Sequence, residues 1–140
     1  MRVLVDTSAW ADFLNGHPSP AADALADLLR GDDDVCTCGI VVAEVFQGLR
    51  RDEGRDAIRR SFQDLIFLEP AGIRLYLRAA ELYRGLREKG VTIRSTVDCI
   101  IASIAEESGC AVLARDRDMD AILGSGLLKA PRWPLPSSGR

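Results

Sequence analysis

The chain has 140 residues, 47% hydrophobic and 28% charged, which is enough for one core and too little for two large domains. Its formal net charge of -3 excludes a global basic field, so any contact with a polyanion must be local, through a basic patch or a bound cation. No apolar stretch is long enough to span a bilayer, and the opening MRVLVDTSAW does not read as a signal peptide.

Val3-Leu4-Val5 is a short β-branched run that predicts a buried strand, ended by Asp6-Thr7-Ser8. Ala9 to Leu14 reads as helix, stopped by Gly16-His17-Pro18. Ser19-Pro20 is a cap with proline at the first helical position. The following helix, Ala21 to Arg30, places Ala22, Leu25, Leu28 and Leu29 on one face. Val35-Cys36-Thr37 predicts a second strand and Ile40 to Leu49 a helix rich in valine. Asp52 to Phe62 reads as an arginine-rich helix, Ile66 to Leu68 as a strand closed by Glu69-Pro70, and Ile73 to Arg87 as a long amphipathic helix. Thr96 to Glu107 is another helix with an apolar centre; Ala111 to Leu113 is a strand and Asp118 to Leu123 a short helix. Leu127-Leu128 is a candidate edge strand. Short apolar runs alternating with helices predict one α/β domain over residues 1–130, with a parallel sheet covered on both faces. Pro131 to Arg140, with three prolines, a glycine and two serines, predicts a loosely held tail over 131–140.

The four cysteines, Cys36, Cys38, Cys99 and Cys110, do not suit structural zinc: the close pair has a one-residue spacer, and the single histidine, His17, is far away. They read as reduced, buried thiols in a cytosolic protein. The carboxylates are more informative. Parallel sheets bind ligands outside the carboxyl ends of their strands. Asp6 follows the first strand, Asp116 follows the Ala111 to Leu113 strand, and Asp98 lies in the first turn of its helix, so all three fall at that edge. Glu44 lies about one turn into the helix after the second strand, flanked by Val41, Val42, Val45 and Phe46. Acids packed together raise one another's pKa unless a cation neutralises them. An all-oxygen donor set suits Mg²⁺ or Mn²⁺, and the matching chemistry is phosphoryl or phosphodiester transfer.

Each acid also has a plainer reading. Asp6 fits a helix cap, with Thr7 and Ser8 as cap or turn groups. Glu44 fits a partly exposed helix acid. Asp98, three residues after Ser95, fits a capping box, and Asp116, in Arg115-Asp116-Arg117-Asp118, fits a solvated loop. Arg50, Arg51, Arg55, Arg59 and Arg60 fit either a helix face paired with nearby acids or a phosphate-contact patch. Trp10 and Phe13 fit core or interface, with base stacking as the functional alternative.

Taken in order, VLVDTSAWADFL, VVAEVFQGL, STVDCIIASIA and VLARDRDM resemble the motifs of PIN-domain nucleases, specifically the VapC-type toxins of bacterial toxin–antitoxin pairs. The resemblance runs from Val3 to about Leu128. It aligns Asp6, Glu44, Asp98 and Asp116 with the family's four acids, and Ser8 and Gly48 with its companion hydroxyl and glycine. It implies a three-layer α/β/α sandwich around a short parallel sheet. It further implies a cytoplasmic, Mg²⁺-dependent endoribonuclease, with Mn²⁺ as substitute, that dimerises and is silenced by a cognate antitoxin. On this resemblance Asp6, Glu44 and Asp98 hold the principal metal and Asp116 completes the site. The products carry 5′-phosphate and 3′-hydroxyl ends. Ala114 and Met119 depart from the family's usual threonine and aromatic, and Asp118 competes with Asp116 for the fourth position. A PIN-like binding module and a carboxylate-metal phosphatase are the alternatives. The first would be favoured by lost acids and the second by a closed pocket.

Overall fold

The structure is a computed structural model that describes residues 1–50, 52–70 and 72–134. Four strands, β1 (Arg2–Val5), β2 (Asp34–Cys38), β3 (Ile66–Leu68) and β4 (Ala111–Leu113), form one parallel sheet in the order β3-β2-β1-β4. Among the described residues seven helices cover it: α1 (Thr7–Leu14), α2 (Pro20–Arg30), α3 (Gly39–Gln47), α4 (Arg55–Gln63), α5 (Ile73–Glu88), α6 (Thr96–Ser108) and α7 (Arg117–Leu123). Helix α1 packs on α2 and α3, and α6 packs on α5 and α7. The result is the expected three-layer α/β/α sandwich.

The apolar runs explain the layering. Val3, Leu4, Val5, Val112 and Leu113 are all at most 2% exposed, as central parallel strands require. Helix α2 begins as its sequence dictates, with the Ser19 hydroxyl accepting from the Ala22 N–H and Pro20 in the first turn. Helix α6 ends at Gly109, whose φ of 68° turns the chain in one residue toward β4. Trp10, Phe62 and Phe46 form a packed aromatic cluster that seats α4; Trp10 and Phe62 centroids are 4.5 Å apart. Phe62 is the buried residue of α4, whose Arg55 and Arg59 pair with Asp52 and Asp56 in solvent. Those two arginines therefore follow the plainer reading; Arg51 lies outside the described residues. The cysteines are free and buried. Among the described residues, no helix is long and apolar enough to cross a membrane.

One element differs from expectation. Leu127-Leu128 is not a strand. Its peptide groups are drawn off the sheet by the α5–α6 pair: the Leu127 carbonyl accepts from Arg78, and the Lys129 N–H donates to Glu106. The chain returns to β4 slightly later. Val112 donates to the Pro131 carbonyl and accepts from the Trp133 N–H. Residues 131–133, placed by the sequence in the tail, thus lie along β4, while 135–140 lie outside the described residues.

Candidate active site

The strand order reverses direction between β1 and β4, and a crevice opens at such a switch point. The Asp6 N–H donates to the Leu113 carbonyl at 2.8 Å, which fixes the ends of β1 and β4 side by side. Asp6 and Asp116 leave these two ends. Each also caps the helix that follows: Asp6 Oδ2 accepts from the Ser8 N–H, and Asp116 Oδ2 accepts from the Met119 N–H. Capping uses one oxygen of each. Among the described residues the other oxygen of Asp6 meets no protein donor, while Asp116 Oδ1 meets Arg94 Nη2 at 3.4 Å. For Asp6 the capping and functional readings therefore coexist, and Asp116 caps a helix rather than lying in a solvated loop.

A stitch of side chains holds the two loops together. The Ser8 hydroxyl donates to Asp6 Oδ2 at 2.6 Å and accepts from the Arg115 N–H at 2.8 Å. The Arg115 guanidinium grips the buried carboxylate of Asp12 through both Nε and Nη2. Burial raises the Asp12 pKa, but hydrogen bonds from Arg115 and Ser19 prevail and hold it below the usual carboxylate range.

Asp98, Asp116 and Asp118 each bring a carboxylate oxygen within 4.8 Å of the others. Asp6 and Glu44 are not part of this tightest group. They belong to its electrostatic surroundings. Burial raises the Asp6 pKa, the Ser8 hydrogen bonds oppose this, and the charges of Asp116 and Glu44 add to the rise. Burial, then the charges of Asp116 and Asp6, pushes Asp98 up to about 7. Asp98 is freed for the cluster because Ser95 does the capping, its hydroxyl accepting from the Val97 N–H. Asp118 runs the other way: hydrogen bonds from the Arg94 side chain and backbone hold it below the usual range.

Glu44 differs from expectation in its surroundings. Val41 and Val45 are buried, but Glu44 itself is exposed on α3. Its anchor is the Thr7 hydroxyl, which donates to Oε1 at 2.8 Å. The apolar neighbours occupy the inward face of the helix and the acid the outward one. Arg94 and Asp12 did not stand out in the sequence. The signal for Arg94 was its place in the loop just before the helix that carries Asp98. Of the two departures from the family pattern, Met119 is fully buried and Ala114 is 7% exposed, so both serve packing.

The donor set fits a hard divalent cation. It is all oxygen, it converges, and burial, then the charges of Asp116 and Asp6, raises the Asp98 pKa to about 7. A stability prediction follows for metal-free protein. Folding takes up a proton at Asp98 between 3.8 and about 7, because the folded carboxyl keeps a proton that the unfolded one has lost. The Asp98 contribution therefore lowers stability as pH rises through that window. Asp98→Asn should remove it, so that without metal above pH ~7 the variant melts as high as the parent or a few degrees higher. A large drop in melting temperature would return Asp98 to a helix-capping role.

Fold and site together define a three-layer α/β/α domain with an acidic centre suited to a divalent cation. The chain belongs to the PIN-domain family, whose sequence model matches residues 3–123. It is 31% identical over 121 residues to VapC ribonuclease Mb1587 of Mycobacterium bovis, spanning 86% of this chain and 90% of that protein. The same figures hold for Ribonuclease VapC11 of Mycobacterium tuberculosis. Among solved structures, VapBC2 from Rickettsia felis, bound to a DNA fragment from its promoter, superposes with a TM-score of 0.67. It shares 21% identity and covers 95% of this chain and 99% of that one, a likeness that speaks for the fold.

Proposed function

We propose that residues 1–130 form a metal-dependent endoribonuclease, the toxin of a toxin–antitoxin pair. It cuts RNA phosphodiester bonds to leave 5′-phosphate and 3′-hydroxyl ends. The observation that carries this reading is the convergence of Asp98, Asp116 and Asp118 at the switch point, with Asp6 electrostatically coupled to them and Glu44 held by Thr7. The ribonuclease names of relatives 31% identical over most of the chain support it.

In this reading Asp6, Glu44, Asp98 and Asp116 hold the cation, Mg²⁺ with Mn²⁺ as substitute. When bound, the cation supplies a water activated for attack on phosphorus and offsets charge on the phosphate oxygens. The chain's own residues do the positioning. Ser8 fixes one oxygen of Asp6, Thr7 fixes one oxygen of Glu44, and the Met119 N–H fixes one oxygen of Asp116. The rotamer of each carboxylate is thus held while a second oxygen faces the metal, that of Asp116 in only a long contact with Arg94.

The site is open, with Glu44 exposed and Asp98 and Asp116 half-buried, which suits a polymer better than the closed pocket of a phosphatase. The acids are all present, which does not favour a binding module. The partners in this reading are RNA, a cognate small antitoxin and a second copy of the chain. A small pocket of about 100 Å³ lined by Thr7, Ala11, Leu14, Glu44 and Leu49 offers a seat for one apolar side chain of an antitoxin helix beside Glu44. The apolar surplus for a dimer lies elsewhere than Trp10 and Phe46, which pack with Phe62. It lies at Phe67, Ile73, Tyr76 and Leu77, each more than half exposed.

Purified protein should cut total RNA in Mg²⁺, stop in excess EDTA and resume when Mg²⁺ or Mn²⁺ is restored. Undiminished cleavage in excess chelator would remove the metal from the mechanism.

A further inference from the structure

We infer that Arg94 is the phosphate-contacting cation of this site and that Asp118 is the residue that positions it. The inference rests on the ribonuclease reading above and names the side chain that meets the substrate there.

Arg94 sits in the loop that leads into α6, immediately before its Ser95 cap. Asp118 Oδ2 accepts from both its backbone N–H and its Nε, each at 3.0 Å. This double tether fixes the loop and the plane of the guanidinium together. Asp118 can act as a rigid post because it is 8% exposed and lies in the first turn of α7, beside the Asp116 cap. The far end of the arginine is differently placed. Its side chain is 72% exposed, and Nη2 reaches Asp116 Oδ1 only at 3.4 Å. Among the described residues, Nη1 meets no acceptor. The terminal donors therefore lie beside the carboxylate cluster, with Nη2 in a long contact to Asp116 and Nη1 free to meet a phosphate oxygen.

The electrostatics call for such a group. A chain of net charge -3 whose reaction centre is carboxylates repels RNA at short range. Arg115 is engaged with Asp12, and Arg117, exposed between Asp116 and Asp118, has no hydrogen-bonded tether among the described residues, so Arg94 is the cation whose position is fixed. A guanidinium tethered through Nε keeps the planar terminal fork that matches two phosphate oxygens, which an ammonium cannot reproduce. Asp118 thereby leaves the contest for the fourth metal position. Its charge is matched closely by Arg94 at 3.0 Å, while Asp116 meets the same guanidinium only at 3.4 Å and is the more available of the two for the cation.

The test measures binding apart from turnover. A fluorescent single-stranded RNA of mixed sequence is titrated with protein in EDTA at several salt concentrations, and Mn²⁺ binding is measured separately without RNA. Arg94→Ala should weaken RNA binding roughly tenfold at low salt and make the salt dependence shallower by roughly 0.7 in the log–log slope. Arg94→Lys should restore only part of it. Mn²⁺ affinity should be unchanged or tighter, since a positive neighbour has gone. Asp118→Asn should weaken RNA binding less than Arg94→Ala does and leave Mn²⁺ affinity near the parent's, whereas Asp116→Asn should lower it. Unchanged RNA affinity in Arg94→Ala would make Arg94 a mere counter-ion of the metal-free site and overturn the inference while the parent still cuts RNA. Loss of Mn²⁺ binding in a folded Asp118→Asn protein would make Asp118 a ligand and also overturn it. A parent protein that neither binds nor cuts RNA would overturn the ribonuclease reading, and this inference with it.

Discussion

Glu44→Gln should slow RNA cleavage by roughly two orders of magnitude or more while the fold is left intact. The argument is one of charge alone. Glutamine has nearly the volume of glutamate, and its carbonyl can still accept from the Thr7 hydroxyl that anchors Oε1. The side chain is exposed, so no packing depends on it. What disappears is a negative charge that a hard cation requires. The same charge raises the Asp6 pKa, so its loss should ease ionisation of Asp6 and cost the metal-free fold nothing. RNA binding through the arginines should fall far less than the rate. A cleavage time course on total RNA, with circular dichroism and melting temperature matched, decides it. A folded variant that cuts at nearly the parent rate would remove Glu44 from the site and return it to the plainer reading of an exposed helix acid.

Replacing Trp10 separates size from polarity in the core. The indole is 4% exposed, stacked against Phe62 and edge-on to Phe13. Trp10→Ala should cost about 3–5 kcal/mol, the range for deleting a large buried aromatic. The loss should be felt first at α4, whose buried contact is Phe62. Trp10→Phe should cost far less. It keeps a ring against Phe62, and it deletes an indole N–H that is buried without a partner, a group that weakens the parent. Urea unfolding of the three proteins gives the comparison. A Trp10→Phe protein as unstable as Trp10→Ala would mean that the N–H, rather than the ring, stabilises the cluster.

Much of this was legible in the chain because the signals were local. Val3 to Val5 and Ala111 to Leu113 are apolar runs too short for helices, and each became a central strand. Ser19-Pro20 and Gly109 mark helix ends through their own backbone preferences. The edge position of Asp6, Asp98 and Asp116 follows from strand and helix order. The errors arose where partners distant in sequence decide. Valine neighbours on both sides of Glu44 could not tell which face of α3 points inward. Leu127 has a strand-like side chain, but Arg78, forty-nine residues earlier, takes its carbonyl. Arg94 acquires meaning from Asp118, twenty-four residues later, and Asp12 from Arg115. Charge partners of that separation leave no periodicity to read.

The two borders of the sheet are not equivalent. On the β4 side, Pro131 and Trp133 take both outward main-chain groups of Val112, so nothing further can add there. On the β3 side, Ile66 and Phe67 lie open to solvent. A molecule with two open borders could stack without limit into a fibre, each copy templating the next. A molecule with one can be joined only once, by a copy turned to face it about a two-fold axis, and growth then stops. By covering Val112 with the residues that follow its last helix, the chain closes the β4 border to strand addition, and lateral growth through both borders of the sheet is blocked.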